Sequence, residues 1–220
     1  MLNALIKVLR SCIAKIEIDL SRMFFRIFAQ KQLELKGYRI NLCCGSQRPD
    51  GYFGIDYNKG ANLRLDLLKQ NLPFHANTCQ AIVCMSAINY FTYSRAAEII
   101  KDCYRILKSD GKLRIGVQDL EIIAKHYVDK NKEFFSQKTT NNADRFPGAT
   151  IGDKFVAWFY GHPAGNSYCK YFYDFESLSH IVKAAGFRNV ERKEYRDSKL
   201  PDIEKLDNRP DQMFFLEAIK

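Results

Sequence analysis

The chain has 220 residues, which suits one domain with a single large core. Its apolar fraction of 46% and charged fraction of 27% are ordinary for a globular protein and exclude a disordered or fibrous chain. The formal net charge of +9 favours anionic partners, such as nucleic acid, anionic lipid or a phosphorylated substrate, without choosing among them.

Seven cysteines are scattered along the chain, and none forms a Cys-x-x-Cys pair. No two histidines have the spacing of a zinc site, so we predict neither a metal site nor a disulfide framework. Free cysteines are typical of a reducing compartment, which predicts a cytoplasmic protein. No run reaches the roughly 18 apolar residues of a membrane span. Lys7 and Arg10 interrupt the first apolar stretch, so no signal peptide is predicted.

Residues 1–36 are predicted to form a basic helical extension to a domain at residues 37–220. Apolar residues recur at steps of three and four from Leu2 to Ile27 and form one stripe. This segment carries seven Lys and Arg against three Asp and Glu, which gives 7 − 3 = +4. Such a helix either covers the core or rests peripherally on an anionic membrane at its inner face, and both alternatives remain open.

From residue 38 onward, strand and helix signals alternate. Strands are predicted at Tyr38–Leu42, Tyr52–Ile55, Asn62–Leu65, Ala81–Met85, Lys112–Val117, Phe187–Glu191 and Gln212–Ala218. Helices are predicted after a cap at Ser94, after Gln118 as one long helix, and from Asp174 to Ala185. Residues 136–150 are polar and predict a loop. Short apolar strands alternating with helices predict an α/β fold with a parallel sheet covered on both faces.

The stretch from Arg39 to Ser46, followed by Gly54-Ile55-Asp56, is the most informative part of the sequence. An apolar strand that enters a small-residue turn lets backbone N–H groups approach an anionic ligand. Asp56 ends the second strand and can offer its carboxylate to two ribose hydroxyls. Asp66 follows the third strand, and its carboxylate suits the amino group of a purine. Together they predict a nucleoside-binding crevice at the carboxyl edge of the sheet.

The order of these motifs resembles the class I S-adenosylmethionine-dependent methyltransferases. More narrowly, the chain is similar to a group of small predicted methyltransferases with an Asn-Leu-Gly-Cys-Gly first motif, matched here at Asn41–Gly45. The Pro-Asp-Leu of that group is matched by Gln118-Asp119-Leu120, and the resemblance covers residues 38–219. It implies a three-layer, Rossmann-like sheet of seven strands with the last strand antiparallel.

The resemblance also implies S-adenosyl-L-methionine as the cofactor and assigns its contacts. Asp56 would accept both ribose hydroxyls, and Asp66 with the N–H of Leu67 would bracket the adenine. Ser86 would face the sulfonium and the acceptor, and Tyr90 or Phe91 could offer an aromatic face to the sulfonium. The methionine portion would lie against Asn41, Cys43, Gly45 and Ser46.

Arg48 is a further candidate for the cofactor site. Only 56 − 45 = 11 positions separate Gly45 from Asp56, and Pro49 and Gly51 interrupt them. No full helix fits there, so a helix N-terminus cannot hold the carboxylate of the ligand. Arg48 is predicted to do so as a direct ion partner, with a solvated loop arginine as the alternative.

Two residues are candidates for the acid or base of the reaction. Methyl transfer is an in-line displacement, but a hydroxyl acceptor benefits from a base within reach. Asp119 follows the fifth strand at the cofactor edge, where an acid also commonly caps the next helix. His162 lies in a segment expected to cover the substrate side, with a structural histidine as the alternative.

The acceptor is predicted from the resemblance alone. Small proteins of this kind with a basic N-terminal helix resemble ones associated with bacterial surface-polysaccharide assembly, which implies O-methylation of a glycan or small-molecule hydroxyl. Two alternatives stay open. The charge favours an RNA methyltransferase. Cys43, Gln80 and Asn89 depart from the family pattern and favour a non-catalytic binding or scaffold protein with a degenerate site.

Overall fold

A computed structural model describes residues 2–25, 38–138, 142–160, 163–164 and 167–220. The helices are α1 (Leu2–Phe24), α2 (Tyr93–Ile106), α3 (Leu120–Val128), α4 (Lys132–Phe135), α5 (Ile151–Tyr160), α6 (Phe175–Ala184) and α7 (Ile203–Leu206). The strands are β1 (Tyr38–Leu42), β2 (Tyr52–Asp56), β3 (Leu63–Arg64), β4 (Cys79–Met85), β5 (Leu107–Gln118), β6 (Pro163–Ala164), β7 (Ser167–Tyr168), β8 (Arg188–Lys193) and β9 (Met213–Ile219). A 3₁₀ turn at Ile88–Tyr90 joins β4 to α2.

Seven of these strands form one sheet in the order β3-β2-β1-β4-β5-β9-β8. The strands β1 to β5 run parallel to one another, and β9 is antiparallel to both β5 and β8. The predicted seven-stranded sheet with an antiparallel last strand is therefore confirmed. Because β1 lies between β2 and β4, the chain reverses its direction of travel across the sheet there, and a crevice opens at the carboxyl ends of these strands.

The period-2 alternation of the strands divides the core between the two faces of the sheet. Ile40, Ile82, Ile115 and Leu216 belong to the larger core, which also contains buried residues of α2 and α6. Residues of the opposite face pack with the segment around α7, and this smaller core contains Tyr52, Ala81, Val83, Met85, Leu200, Ile203, Leu206, Met213 and Phe215.

Two sequence predictions about helices are corrected by the structure. The cap of α2 is Thr92, whose side chain accepts a hydrogen bond from the N–H of Arg95, and Ser94 lies inside the helix. The long helix predicted after Gln118 is divided into α3 and α4. Lys130 adopts a left-handed conformation (φ 51°) between them, and Asn131 caps α4. A residue in the left-handed conformation ends a right-handed helix. The apolar residues keep their helical spacing beyond this point in the sequence, although the helix itself ends.

The N-terminal helix docks on the domain near its C-terminal end. Ile18 and Phe25 are buried, and the ring of Phe25 lies 4.9 Å from that of Phe74. Glu17 forms ion pairs with Arg64 of β3 and with Lys59. An amphipathic helix is thus confirmed as far as Phe24. Its predicted extension toward residue 36 lies outside the described residues, and the domain boundary there stays a prediction.

Candidate cofactor-binding site

A cavity of about 470 Å³ lies where the carboxyl ends of β1, β2, β3 and β4 meet. Five of the predicted cofactor residues line it, namely Cys43, Asp56, Asp66, Leu67 and Ser86. The remaining lining residues are Tyr57, Asn58, Leu65, Leu68, Lys69, Ala87, Tyr90 and Phe91. The structure therefore brings both predicted carboxylates and the end of β4 to one cleft, as the topology of a parallel sheet requires.

The turn after β1 is shaped by two residues in the left-handed region. Cys43 has φ 55° and Gly45 has φ 54°, and no helix is present among residues 43–51. The side-chain amide of Asn41 donates to the carbonyl of Gln47 at 3.0 Å and holds the turn closed. This turn reverses tightly enough for the N–H of Gly45 to donate to Oδ2 of Asp56 at 2.9 Å.

Asp56 is 8% exposed and fixed at both carboxylate oxygens. Oδ2 accepts from Gly45, and Oδ1 accepts from the N–H of Asn58 at 2.8 Å. Each carboxylate oxygen can accept a second hydrogen bond, so one acceptor position on each oxygen remains for a ligand. That arrangement suits the two adjacent hydroxyls of a ribose.

The segment after β3 offers a second carboxylate together with a backbone donor. Oδ1 of Asp66 accepts from the N–H of Leu68 at 3.1 Å, and Lys69 lies 3.6 Å from Oδ2. The N–H of Leu67 makes no hydrogen bond with any residue that the structure describes. A carboxylate acceptor beside a free N–H donor matches the amino group and ring nitrogen of an adenine edge.

At the β4 side of the cavity, the lining is uncharged. Ser86 adopts φ 53°, and its hydroxyl donates to Oδ1 of Asn208 at 3.0 Å. Burial raises the pKa of the Tyr90 phenol, which therefore stays neutral at physiological pH. Phe91 completes this part of the wall.

Four other predicted cofactor residues lie outside the cavity wall. Asn41 is buried and, like Gly45, shapes the turn after β1. Ser46 and Arg48 are exposed, and Nη2 of Arg48 lies 3.4 Å from the carbonyl of Gly45. Their predicted contacts with the methionine portion of a cofactor stay predictions.

Of the two predicted catalytic residues, the structure describes Asp119. Asp119 is fully buried: Oδ1 accepts from the N–H of Glu121 at 2.9 Å and caps α3, and Oδ2 pairs with Arg192 at 2.6 Å. Asp119 does not line the cavity, and the structure gives its carboxylate a helix-capping role. A catalytic role for Asp119 stays a prediction. His162 lies outside the described residues.

Sequence reasoning did not propose cofactor roles for Tyr57, Asn58, Leu65, Leu68, Lys69 and Ala87, which also line the cavity. All six are immediate or near neighbours of Asp56, Asp66 or Ser86 in sequence. Their positions just beyond the ends of β2, β3 and β4 are the signal that could have found them.

No three His, Cys, Asp or Glu side chains of the described residues come together as a metal site. Among the same residues, no helix has the length and apolarity that crossing a bilayer requires.

Comparison with known proteins agrees with this geometry. Residues 48–115, from the loop before β2 to the middle of β5, match a family model described as a methyltransferase domain. No curated protein matches the sequence.

The solved structures to which this chain is similar are remote in sequence. An S-adenosylmethionine-dependent methyltransferase from Mesorhizobium loti is 14% identical, covering 83% of this chain and 90% of its own, with a TM-score of 0.47. One from Archaeoglobus fulgidus is 14% identical over 92% of this chain and 94% of its own, with a TM-score of 0.47. Phosphoethanolamine N-methyltransferase 2 from Haemonchus contortus, in complex with S-adenosyl-L-methionine, is 14% identical. The match covers 88% of this chain and 52% of that protein, with a TM-score of 0.45.

The seven-stranded sheet with an antiparallel last strand agrees with the resemblance to class I methyltransferases, and residues 48–115 match a methyltransferase domain. The cofactor that this resemblance implies is S-adenosyl-L-methionine. The residues at the cavity fit such a cofactor, because the acceptors on Asp56 and the N–H of Leu67 are the groups that an adenosine would engage.

Proposed function

We propose that this protein transfers a methyl group to a hydroxyl of a glycan or small molecule, in the assembly of a bacterial surface polysaccharide. The observation that carries the donor side is the shared cavity of Asp56 and Asp66, with Ser86 at its β4 side. When bound, S-adenosyl-L-methionine supplies an electrophilic methyl on a cationic sulfonium. The protein binds the adenosine through the two carboxylates and orients the donor for an in-line displacement.

The charge distribution of the cavity supports a neutral acceptor. Its charged lining side chains, Asp56, Asp66 and Lys69, belong to the β2 and β3 side. The described lining at the β4 side is uncharged and includes Tyr90 and Phe91. A phosphate-rich acceptor such as RNA gains from cations near the reacting group, and this wall offers none among its described residues. A sugar hydroxyl therefore suits the site better than a nucleotide.

His162 is the proposed base for the hydroxyl acceptor, since Asp119 is engaged by the α3 cap and by Arg192. A general base contributes about 100-fold to 10,000-fold to rate. His162→Gln should lower kcat by about 100-fold or more and leave the affinity for the donor unchanged. Asp119→Asn, with the fold retained, should leave kcat within a few-fold of the parent enzyme. Loss of kcat in Asp119→Asn instead would transfer the role of base to that residue.

All seven cysteines are free thiols, which supports a reaction on the cytoplasmic side of the membrane.

The test of the proposed function has two stages with separate outcomes. Calorimetric titration with S-adenosylhomocysteine examines donor binding, and absence of heat and of thermal stabilisation at millimolar ligand would leave only a scaffold role. Incubation with methyl-labelled donor and separated glycan, lipid-linked sugar and RNA fractions then identifies the acceptor. Label in RNA alone would overturn the glycan assignment.

A further inference from the structure

The outward face of α1 carries a row of large apolar side chains that nothing in the described part of the chain covers. We call this row the outer stripe. Its members lie at alternating steps of four and three, with one added neighbour at the N-terminal end, and each is more than half exposed: Val8, Leu9, Ile13, Ile16, Leu20 and Met23. A folded domain rarely exposes so long a contiguous apolar row without a partner.

The inner face of the same helix is already occupied. Glu17 and the hydroxyl of Ser21 both bond to Arg64 at the edge strand β3, and Ile18 packs beneath them. With 3.6 residues per turn, Ile18 points roughly opposite to Leu9 and Leu20. Docking on the domain therefore fixes the outer stripe away from the protein.

We propose that the outer stripe binds the surface of an anionic lipid bilayer, with α1 lying in the plane of the interface. The charge around the helix is complementary to such a surface. Asp19 lies 4.0 Å from Arg22, and Glu17 is shared by Lys59 and Arg64. The cations of the helix itself outnumber its acids by 4 − 2 = +2: Lys7, Arg10, Lys15 and Arg22 against Glu17 and Asp19. An amphipathic helix with a basic polar face has this pattern when it rests on anionic lipid.

A second copy of the chain is the principal competing occupant, because steps of four and three are also those of a coiled-coil seam. The flanking positions disfavour it. In a parallel pair, Cys12 would face Glu17 of the other helix and Asp19 would face Phe24, so no opposite charges meet. Two helices that each carry the same net positive charge also repel one another. Val8 widens the outer stripe beyond a two-helix seam, which suits burial in a lipid interface.

This orientation brings the donor cavity close to the membrane. Arg64, which holds α1, also donates from Nε to the carbonyl of Tyr57 at 3.2 Å, and Tyr57 lines the cavity. The same β3 edge thus bears the lipid-binding helix and the wall that faces the adenosine. A lipid-linked acceptor would meet the protein at this level, although membrane binding itself does not depend on the identity of the acceptor.

The test uses the full chain and vesicles of phosphatidylcholine alone or mixed with phosphatidylglycerol. Co-sedimentation should show binding to the anionic vesicles, weaker binding at high salt and little binding to phosphatidylcholine. Ile13→Gln combined with Leu20→Gln should lower the partition coefficient at least tenfold. The matched control, Val128→Gln with Val156→Gln, replaces exposed apolar residues elsewhere and should bind like the parent protein.

Three results would overturn the proposal. These are equal binding by the outer-stripe variant and the parent, equal binding to both kinds of vesicle, and no binding at all. The molar mass in solution identifies the competing occupant. If the parent protein is a dimer that does not bind vesicles, and the outer-stripe variant is a monomer, then the outer stripe binds a second copy of the chain. Titration with S-adenosylhomocysteine shows that the variant retains its domain, because the substituted residues lie outside the cavity wall.

Discussion

The carboxylate of Asp56 and the backbone N–H of Gly45 form a hydrogen bond of 2.9 Å that joins the end of β2 to the turn after β1. One side chain thus shapes the turn and lines the donor cavity. No helix lies between Gly45 and Asp56, and this hydrogen bond holds the turn against the end of β2.

Replacing Asp56 by Asn should weaken donor binding. An amide has one oxygen, so it cannot accept from both Gly45 and Asn58 while it also accepts from two ribose hydroxyls. We expect the dissociation constant for S-adenosylhomocysteine to rise at least tenfold, a loss of about 1.4 kcal/mol or more. Isothermal titration measures it. Asp50→Asn, at an exposed turn residue before β2, makes the same charge change and should bind like the parent. Equal affinities for both variants would contradict a ribose contact.

The conformation of Cys43 leads to a prediction about stability. Its φ of 55° lies in the left-handed region, where a β-branched residue is strained. Cys43→Val should therefore cost about 2 kcal/mol or more. Cys43→Gly should remain within about 1 kcal/mol, because relief of backbone strain offsets the lost thiol packing. Urea denaturation measures both. Cys12→Val, on the exposed surface of α1, is the control and should be nearly neutral.

The strand ends were predictable, because short apolar runs and the acids that follow them are local features of the sequence. Asp56 and Asp66 were placed correctly at one cleft for this reason. The role of Asp119 was not predictable from its position after β5. A base and a helix cap both require an acid there, and its ion partner, Arg192, is 73 residues away in sequence. The apolar spacing of α1 likewise predicts an apolar stripe but does not predict which face of the helix packs on the domain. In the structure, Ile18 on the opposite face is the buried residue.

The buried ion cluster around Arg114 should be essential to stability. Arg114 donates to both carboxylate oxygens of Asp207 and, at 2.9 Å, to Glu217, and it is fully buried. Arg114→Ala leaves two buried carboxylates without their cation, a change that typically costs about 3–5 kcal/mol. Arg188→Ala removes an exposed pair with Asp110 and should cost less than about 1 kcal/mol. A urea midpoint for Arg114→Ala close to that of Arg188→Ala would show that the cluster is dispensable.

Two capping aspartates, Asp119 and Asp174, should make the stability of the fold change in opposite directions as the pH rises. Burial raises the pKa of Asp119, whereas the N–H of Ser177, at 2.7 Å, lowers the pKa of Asp174, the cap of α6. Between the ordinary pKa of Asp119, 3.8, and its raised value in the fold, the folded chain binds the extra proton. Ionising Asp119 therefore costs stability as the pH rises through that window. Asp174 contributes stability above 3.8 that is lost as the pH falls through its lowered pKa.

Asn variants of the two caps separate these signs. Relative to the parent protein, Asp119→Asn should gain stability as the pH rises above 3.8, since the variant has no carboxylate to ionise. Asp174→Asn should lose stability relative to the parent at neutral pH, and the difference should shrink below pH 3.8. Urea midpoints measured from acid to neutral pH give both curves. Two curves of the same slope would mean that burial does not govern the ionisation of Asp119, and its pairing with Arg192 would then outweigh the cost of removing the charge from water.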